Sequence, residues 1–306
     1  MIKKLVLVFI ALFAIQSYAQ ETTASPYSFY GIGTLKFKGS VENKSMGGLS
    51  IYKDSIHINF RNPATYGGMN IETFQNESRP VKFTVGGSHT STELKSDFGS
   101  DRVKASTFDY LALSIPVGKF GFGFGLLPYT AVGYRLETNN DAGNIGTRFR
   151  GEGGLNKAFL SAGYQITNEL SAGIDANYNF GNIQNSTIQF NYNGQNEPLQ
   201  TQSRENNRSD LSGVSLNIGL HYQRMLTDKL ELQSSVTYAP SSNLTSKNQR
   251  SFSSIIINAS TGSESVVETM EADLSASRFE RNKFNLAIKN LVWSGNRTTK
   301  KMVYGG

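Results

Sequence analysis

Between residues 170 and 180 the chain reads Leu-Ser-Ala-Gly-Ile-Asp-Ala-Asn-Tyr-Asn-Phe, apolar at every even position and polar or glycine at every odd one. A period of two puts the apolar side chains on one face of a strand and the polar ones on the other. A one-residue slip would exchange the faces, so such a segment holds its register wherever one face is buried. The same parity recurs along the chain. Val81, Phe83 and Val85 mark a strand over 81–90; Leu111, Leu113 and Ile115 mark one over 107–117. Phe120, Phe122, Phe124 and Leu126 alternate with Gly121, Gly123 and Gly125. Ala158, Leu160, Ala162 and Tyr164 define a further strand, as do Val214, Leu216, Ile218, Leu220 and Tyr222, and Leu230, Leu232, Val236 and Tyr238. The chain is therefore expected to be all-β.

Connection lengths narrow the class. Turns at 118–119, 167–169 and 227–228 are short, whereas 91–106, 138–154 and 181–210 read as long polar loops. Soluble sandwiches use alternating strands too, but short and long connections in strict alternation mark a transmembrane antiparallel β-barrel of the outer-membrane type, with its short turns periplasmic and its long loops outside. Closure is forced because hydrocarbon offers no partner to an open strand edge. After Ser241 the parity loosens, and 250–258, 268–276 and 283–293 are only candidate strands. From Arg278 onward Arg281, Lys283, Lys289, Arg297, Lys300 and Lys301 follow, against Glu280 alone. A lipid-facing Lys or Arg at mid-membrane costs about 2–4 kcal/mol, so this tail fits poorly with a wall, and C-terminal strands are expected to be missing.

The start of the chain fixes the compartment. Lys3 and Lys4 precede the apolar run 5–15, and Ser17-Tyr18-Ala19 gives a small-residue cleavage site, so residues 1–19 read as a signal peptide. The run is too short for a transmembrane helix, which needs about 20 apolar residues. The sequence has no Cys, which excludes disulfides and thiolate metal sites. Removing the two signal lysines from the 30 basic residues leaves 28 against 24 acidic ones. They are scattered and form no stripe, so no nucleic-acid partner is expected.

Residues 20–79 do not alternate. They hold Gly31-Ile32-Gly33, Ser45-Met46-Gly47-Gly48 and Arg61-Asn62-Pro63-Ala64. Gly31 and Gly33 are no nucleotide fingerprint without a strand before and a helix after them; Asn62-Pro63 marks a turn. About sixty residues make a marginal independent domain, so this stretch is expected to be a hatch inside a barrel formed by residues 80–306.

The run 45–48, followed by Asp54 and by Arg61, Asn62, Pro63 and Ala64, resembles the hatch of the FadL/TodX outer-membrane transporters. Gly121-Phe122-Gly123-Phe124-Gly125-Leu126-Leu127-Pro128-Tyr129 is similar to that family's third strand, with its Pro-aromatic break, and 151–156 followed by 162–165 resembles the start of its next one. The resemblance spans about residues 45–239. It implies a barrel plugged by its own N-terminus that passes hydrophobic molecules such as long-chain fatty acids through a gap in its wall. Arg61, Asn62, Pro63 and Ala64 would belong to the hatch, and Pro128 and Tyr129 to the gap. The expected lumen face departs from that family, because Asp175, Asn177, Asn179, His221 and Glu231 make it wet for an alkyl chain.

Pro128 is informative by itself. Proline removes a ladder hydrogen bond and is confined to edges or bulges, so the wall is expected to be unzipped there, either as a rim bulge or as a lateral opening. Enzymatic chemistry has little support, since His57, His89 and His221 are the only histidines and are scattered. Neither a cofactor nor a metal is expected. Asp54 and Arg61 read as solvated charges before they read as a pair. Three functions follow: a transporter of hydrophobic small molecules; a FadL-like outer-membrane component of type IX secretion, with a binding and assembly role; and a diffusion pore. The first is favoured, for a monomer in contact with outer-membrane lipid and delivered by the barrel-assembly machinery.

Overall fold

The computed structural model of the protein describes residues 25–51, 53, 56–68, 80–96, 99–227, 230–258, 262–273, 278–279 and 294–297. Among them the chain is antiparallel β-sheet with a single short helix, α1 (Val41–Ser45), and 3-10 turns at Pro26–Phe29 and Pro63–Tyr66. In chain order the strands are β1 (Thr34–Leu35), β2 (Lys82–Ser96), β3 (Gly99–Val117), β4 (Phe120–Pro128), β5 (Thr130–Asn139), β6 (Ile145–Gln165) and β7 (Leu170–Gln189). They continue as β8 (Gln202–Thr227), β9 (Leu230–Tyr238), β10 (Leu244–Ile257), β11 (Glu264–Asp273), β12 (Arg278–Phe279) and β13 (Ser294–Arg297). The main path runs β11-β10-β8-β7-β6-β4-β3-β2, and its two ends are not joined among the described residues.

Two long strands each serve a broken neighbour. The first half of β6 pairs with β5 and its second half with β4. The first half of β8 likewise pairs with β10 and its second half with β9. Both breaks contain a proline, Pro128 at the end of β4 and Pro240 between β9 and β10. The sheet thus has a lower and an upper tier, held together by the unbroken strands β6, β7 and β8. In the lower tier one face is covered by the N-terminal segment, and the other is bare and apolar, with Phe120, Phe122, Leu160, Ile174, Val214 and Leu216 exposed. Those are the positions that the alternation assigns to one face.

The upper tier corrects the expected loops. Residues 91–96 end β2 and 99–106 begin β3, 145–154 begin β6, and most of 181–210 belongs to β7 and β8. Among the described residues of these stretches, 140–144 and 190–201 remain as connections. These strands are polar because the apolar belt stops below them. They hold ion pairs such as Arg148–Glu137 at 2.8 Å and Arg204–Glu264 at 3.1 Å, and surface pairs of this kind stabilise little. Of the doubtful C-terminal strands, β10 and β11 overlap the first two; 283–293 lies outside the described residues.

Candidate functional site

The covered face of the lower tier is a seat for the N-terminal segment. Asn62 caps the second 3-10 turn, its Oδ1 accepting the Ala64 N–H at 3.0 Å, and Pro63 opens that turn, where a missing N–H costs nothing. The turn lies on a row of four glycines. Gly121 of β4 pairs with Gly163 of β6, Gly163 with Gly173 of β7, and Gly173 with Gly219 of β8. A Cβ at Gly121 would stand 1.8 Å from the Tyr66 carbonyl oxygen, and one at Gly173 would stand 2.3 Å from the Pro63 carbonyl carbon. At Gly163 it would meet the Gly67 nitrogen at 2.5 Å, and at Gly219 the Asn62 Oδ1 at 2.1 Å. None of the four has a left-handed φ, so the row exists for space and not for backbone freedom.

Around this seat the segment and wall share one core. Ile58, Phe60 and Tyr66 of the segment pack with Tyr110, Ala112, Leu127 and Phe159 of the wall; burying a side chain of that size contributes about 1.5–3 kcal/mol. Phe60 meets Phe159 edge to face at 5.8 Å. The Tyr66 ring covers Gly123, and the Tyr110 ring covers Gly86, its cross-strand partner.

Polar links cross the same interface. Asn62 Nδ2 donates to the Leu220 carbonyl at 3.2 Å, and Asn217 Nδ2 donates to the Arg61 carbonyl at 3.1 Å. Lys53 Nζ donates to Ser171 Oγ at 2.7 Å. The buried Asp175 carboxylate accepts from Ser161 and, at 3.0 Å, from Asn217, with Lys38 Nζ of the segment at 3.8 Å. A buried carboxylate needs such partners, because an unpaired one is costly. Asn177 and Asn179 are buried on the same face, and His221 is fully buried between Ser171 and Ser235.

Arg61 acts within the segment. Its Nε donates to the Lys38 carbonyl at 2.7 Å and its Nη1 to the Gly48 carbonyl at 3.1 Å, with the guanidinium over Phe37 at 4.7 Å. Gly47 and Gly48 take left-handed φ values of 68° and 85° as the chain turns back after α1. Asp54, the partner considered for Arg61, lies outside the described residues.

Pro128 and Tyr129 stand apart from this seat, at the tier boundary. The β3–β4 ladder ends at Leu111–Leu126, and beyond it β3 pairs with β2. Tyr129 keeps its bond to β6, its N–H donating to the Leu155 carbonyl at 2.7 Å, while its own carbonyl accepts the Lys36 N–H at 3.0 Å. The space between β3 and β5 is filled by the N-terminal segment. There β1 pairs with β5 through Thr34–Ala131 and Leu35–Thr130, and the Val41 N–H donates to the Tyr110 hydroxyl at 3.3 Å. Burial holds the pKa of Lys36 below the ordinary lysine value, and Asp109 of β3 offsets only part of that. Tyr129 joins the upper-tier core of Val132, Tyr134, Leu155, Ile183 and Leu211, with Lys157 Nζ over its ring at 4.4 Å.

The structure therefore brings Arg61, Asn62, Pro63 and Ala64 together in one seated turn and places Pro128 and Tyr129 at a wall break that the same segment fills. Sequence reasoning missed the glycine row and Lys38, Lys53 and Tyr66. The row had a signal, since Gly163 and Gly173 flank the 167–169 turn at similar distances. His57 stands 3.9 Å from Glu42, and His89 meets Ser106 at 2.8 Å, so the three histidines do not converge. Among the described residues no helix is long and apolar enough to cross a membrane, which says nothing of strands.

Neither a curated protein nor a solved structure gives a significant match to this chain. The FadL/TodX resemblance rests on its motifs alone. A family model described as BamG matches residues 1–306, the whole length, and the chain belongs to the BamG family.

Proposed function

We propose that the protein is an outer-membrane β-barrel filled by its own N-terminal segment, and that it serves barrel assembly as a binding and positioning component without catalytic chemistry. Membership of the BamG family supports the outer membrane and the barrel-assembly machinery as its setting. The bare apolar belt supports insertion: on β7 it runs from Leu170 to Phe180, close to the about 9–11 residues with which a tilted strand crosses hydrocarbon. The observation that carries the binding role over transport is the seat itself. Asp175, Asn177, Asn179, Asn217 and His221 are buried beneath a segment that fits with no room for a methyl group. An alkyl chain in the segment's place would take Lys38 from the buried Asp175 carboxylate and the Arg61 carbonyl from Asn217. The Ser171 hydroxyl meets Lys53 and not the His221 ring, so these two are not poised as nucleophile and base.

Mild-detergent purification of the tagged protein, with protein and lipid mass spectrometry on the same sample, tests this. Assembly proteins should accompany it in near-stoichiometric amounts and fatty acids should not. Stoichiometric fatty acid without assembly proteins would return the transporter reading. That second reading is favoured by the break at Pro128. If apolar molecules leave there, Pro128→Val restores a backbone donor and should cut uptake of a hydrophobic dye several-fold while the protein remains folded; unchanged uptake removes transport through the break.

The topology has its own test. A cysteine in place of Asn140 or Asn196, in the long connections, should react with an impermeant thiol reagent on intact cells, and one in place of Asn168 should not. Reaction at Asn168 alone would invert the protein.

A further inference from the structure

Above the point where β3 parts from β4, the edge of β5 that faces away from β6 carries only a short occupant. Its ladder partners are Thr34 and Leu35; further along, Ser25 N–H donates to the Gly133 carbonyl at 3.2 Å and Gly133 N–H donates to Ser28 Oγ at 3.1 Å. Arg135, Glu137 and Asn139 lie beyond the last of these contacts, and β5 has no second strand there among the described residues. We propose that this edge is a strand-acceptor site, at which an extended segment of another β-barrel protein, apolar at every second residue, adds to β5 in place of residues 25–35. The proposal rests on the assembly reading and names the partner's chemistry at one place on the protein.

Three observations select that partner. First, a free strand edge offers unpaired N–H and C=O groups in a row, which recognise an extended backbone and not a helix. Second, Val132, Tyr134 and Leu136 of β5 turn apolar side chains toward the upper-tier core at every second residue, and Ile32 of the resident segment packs against that core. An incoming strand therefore needs an apolar residue at every second position on this side. On the other side it meets the Arg135 and Glu137 ion pair, 3.7 Å apart, which suits polar residues. This is the pattern of a barrel strand, and residues 170–180 of this chain display it. Third, the resident segment holds the core mainly through Phe29, edge to face on Tyr134 at 5.2 Å, and Ile32, whereas Tyr27 is 81% exposed, Tyr30 72% and Leu35 64%, so these three large side chains gain little from staying. A longer strand that pairs along all of β5 makes more ladder bonds than the two residues of β1.

The sequence contains no Cys, so Leu35→Cys with Thr130→Cys, at positions that are ladder partners, gives a single reversible lock on the resident segment. In the full-length protein Arg135 is replaced by a photo-crosslinking benzoylphenylalanine. The probes are a fluorescent peptide with the sequence of residues 170–180, its scrambled form, and a fluorescent long-chain fatty acid. With the lock reduced, the alternating peptide should label the protein at least about fivefold more than the scrambled one, and closing the disulfide should return labelling to background. Where the double-cysteine variant does not assemble, the protein with Cys-free positions 35 and 130 is labelled in the presence of excess synthetic peptide 25–36, which should suppress the signal. Equal labelling by both peptides, labelling that ignores the lock or the competitor, labelling by the fatty acid alone, or none at millimolar peptide would each overturn the proposal. Co-purification with assembly proteins that persists after such a failure leaves the assembly reading standing. Peptide capture without co-purification retires that reading and keeps the acceptor site.

Discussion

Gly121→Ala combined with Gly173→Ala is expected to unseat the N-terminal segment while the wall still forms. The two new methyl groups would stand within 1.8 Å and 2.3 Å of the segment's backbone, which has no flexible side-chain end to give way. Overpacking costs about 1–3 kcal/mol per site and more where backbone must move; the glycines' pairing partners in the ladder need not change. Trypsin should then cut after Lys53 or Arg61, bonds protected in the seated form, while the β-sheet circular-dichroism signal of the protein stays unchanged. Gly194→Ala is the control, since a methyl group there meets nothing within 4 Å, and it should leave protection intact. Protection retained in the double variant would mean that the segment does not sit on the glycine row.

Deleting residues 21–77 should have the larger effect on permeability. It removes the turn on the glycine row and the strand in the gap between β3 and β5 together. In the barrel proposed above, the face that bears Asp175, Asn177 and Asn179 would then line an open lumen, and conductance in planar bilayers should rise by roughly tenfold or more, as for a barrel without its plug. A milder version isolates one link. Lys38→Met leaves Asp175 with Ser161 and Asn217 but without its counter-charge, so it should loosen the segment detectably and open the lumen only in part. Unchanged conductance after the deletion would place residues 21–77 elsewhere than in the path of ions.

The lower tier was legible because two different media meet it. Residues 170–180 alternate since one face stays bare and apolar while the other bears the buried polar groups of the seat, and the sequence records both. Residues 181–189 and 202–210 are strands as well, yet they read as loop, because Ile183 and Ile188 are their only buried apolar side chains, too few to mark a period of two. Asn62-Pro63 was readable as a turn from local chemistry alone, an N-cap followed by a residue preset for the first helical position. The row from Gly121 to Gly219 was not, since it exists only in the register of four strands. Pro128 announced its break, and Pro240 makes the same kind of break without notice because its flanks, Ala239 and Ser241, lack aromatic neighbours.

The seat also sets an order in time. Asn62 bonds to Leu220 across 158 residues and Asn217 reaches back to Arg61 across 156, and the row that receives the turn is incomplete until β8 lies beside β7. The part of the chain that is made first is therefore the last to find its place. Contacts of such long range are slow to form because loop closure precedes their reward. Until the eighth strand arrives, Phe60, Tyr66 and the Asn62–Pro63 turn have no seat, and their apolar side chains stay exposed for that interval.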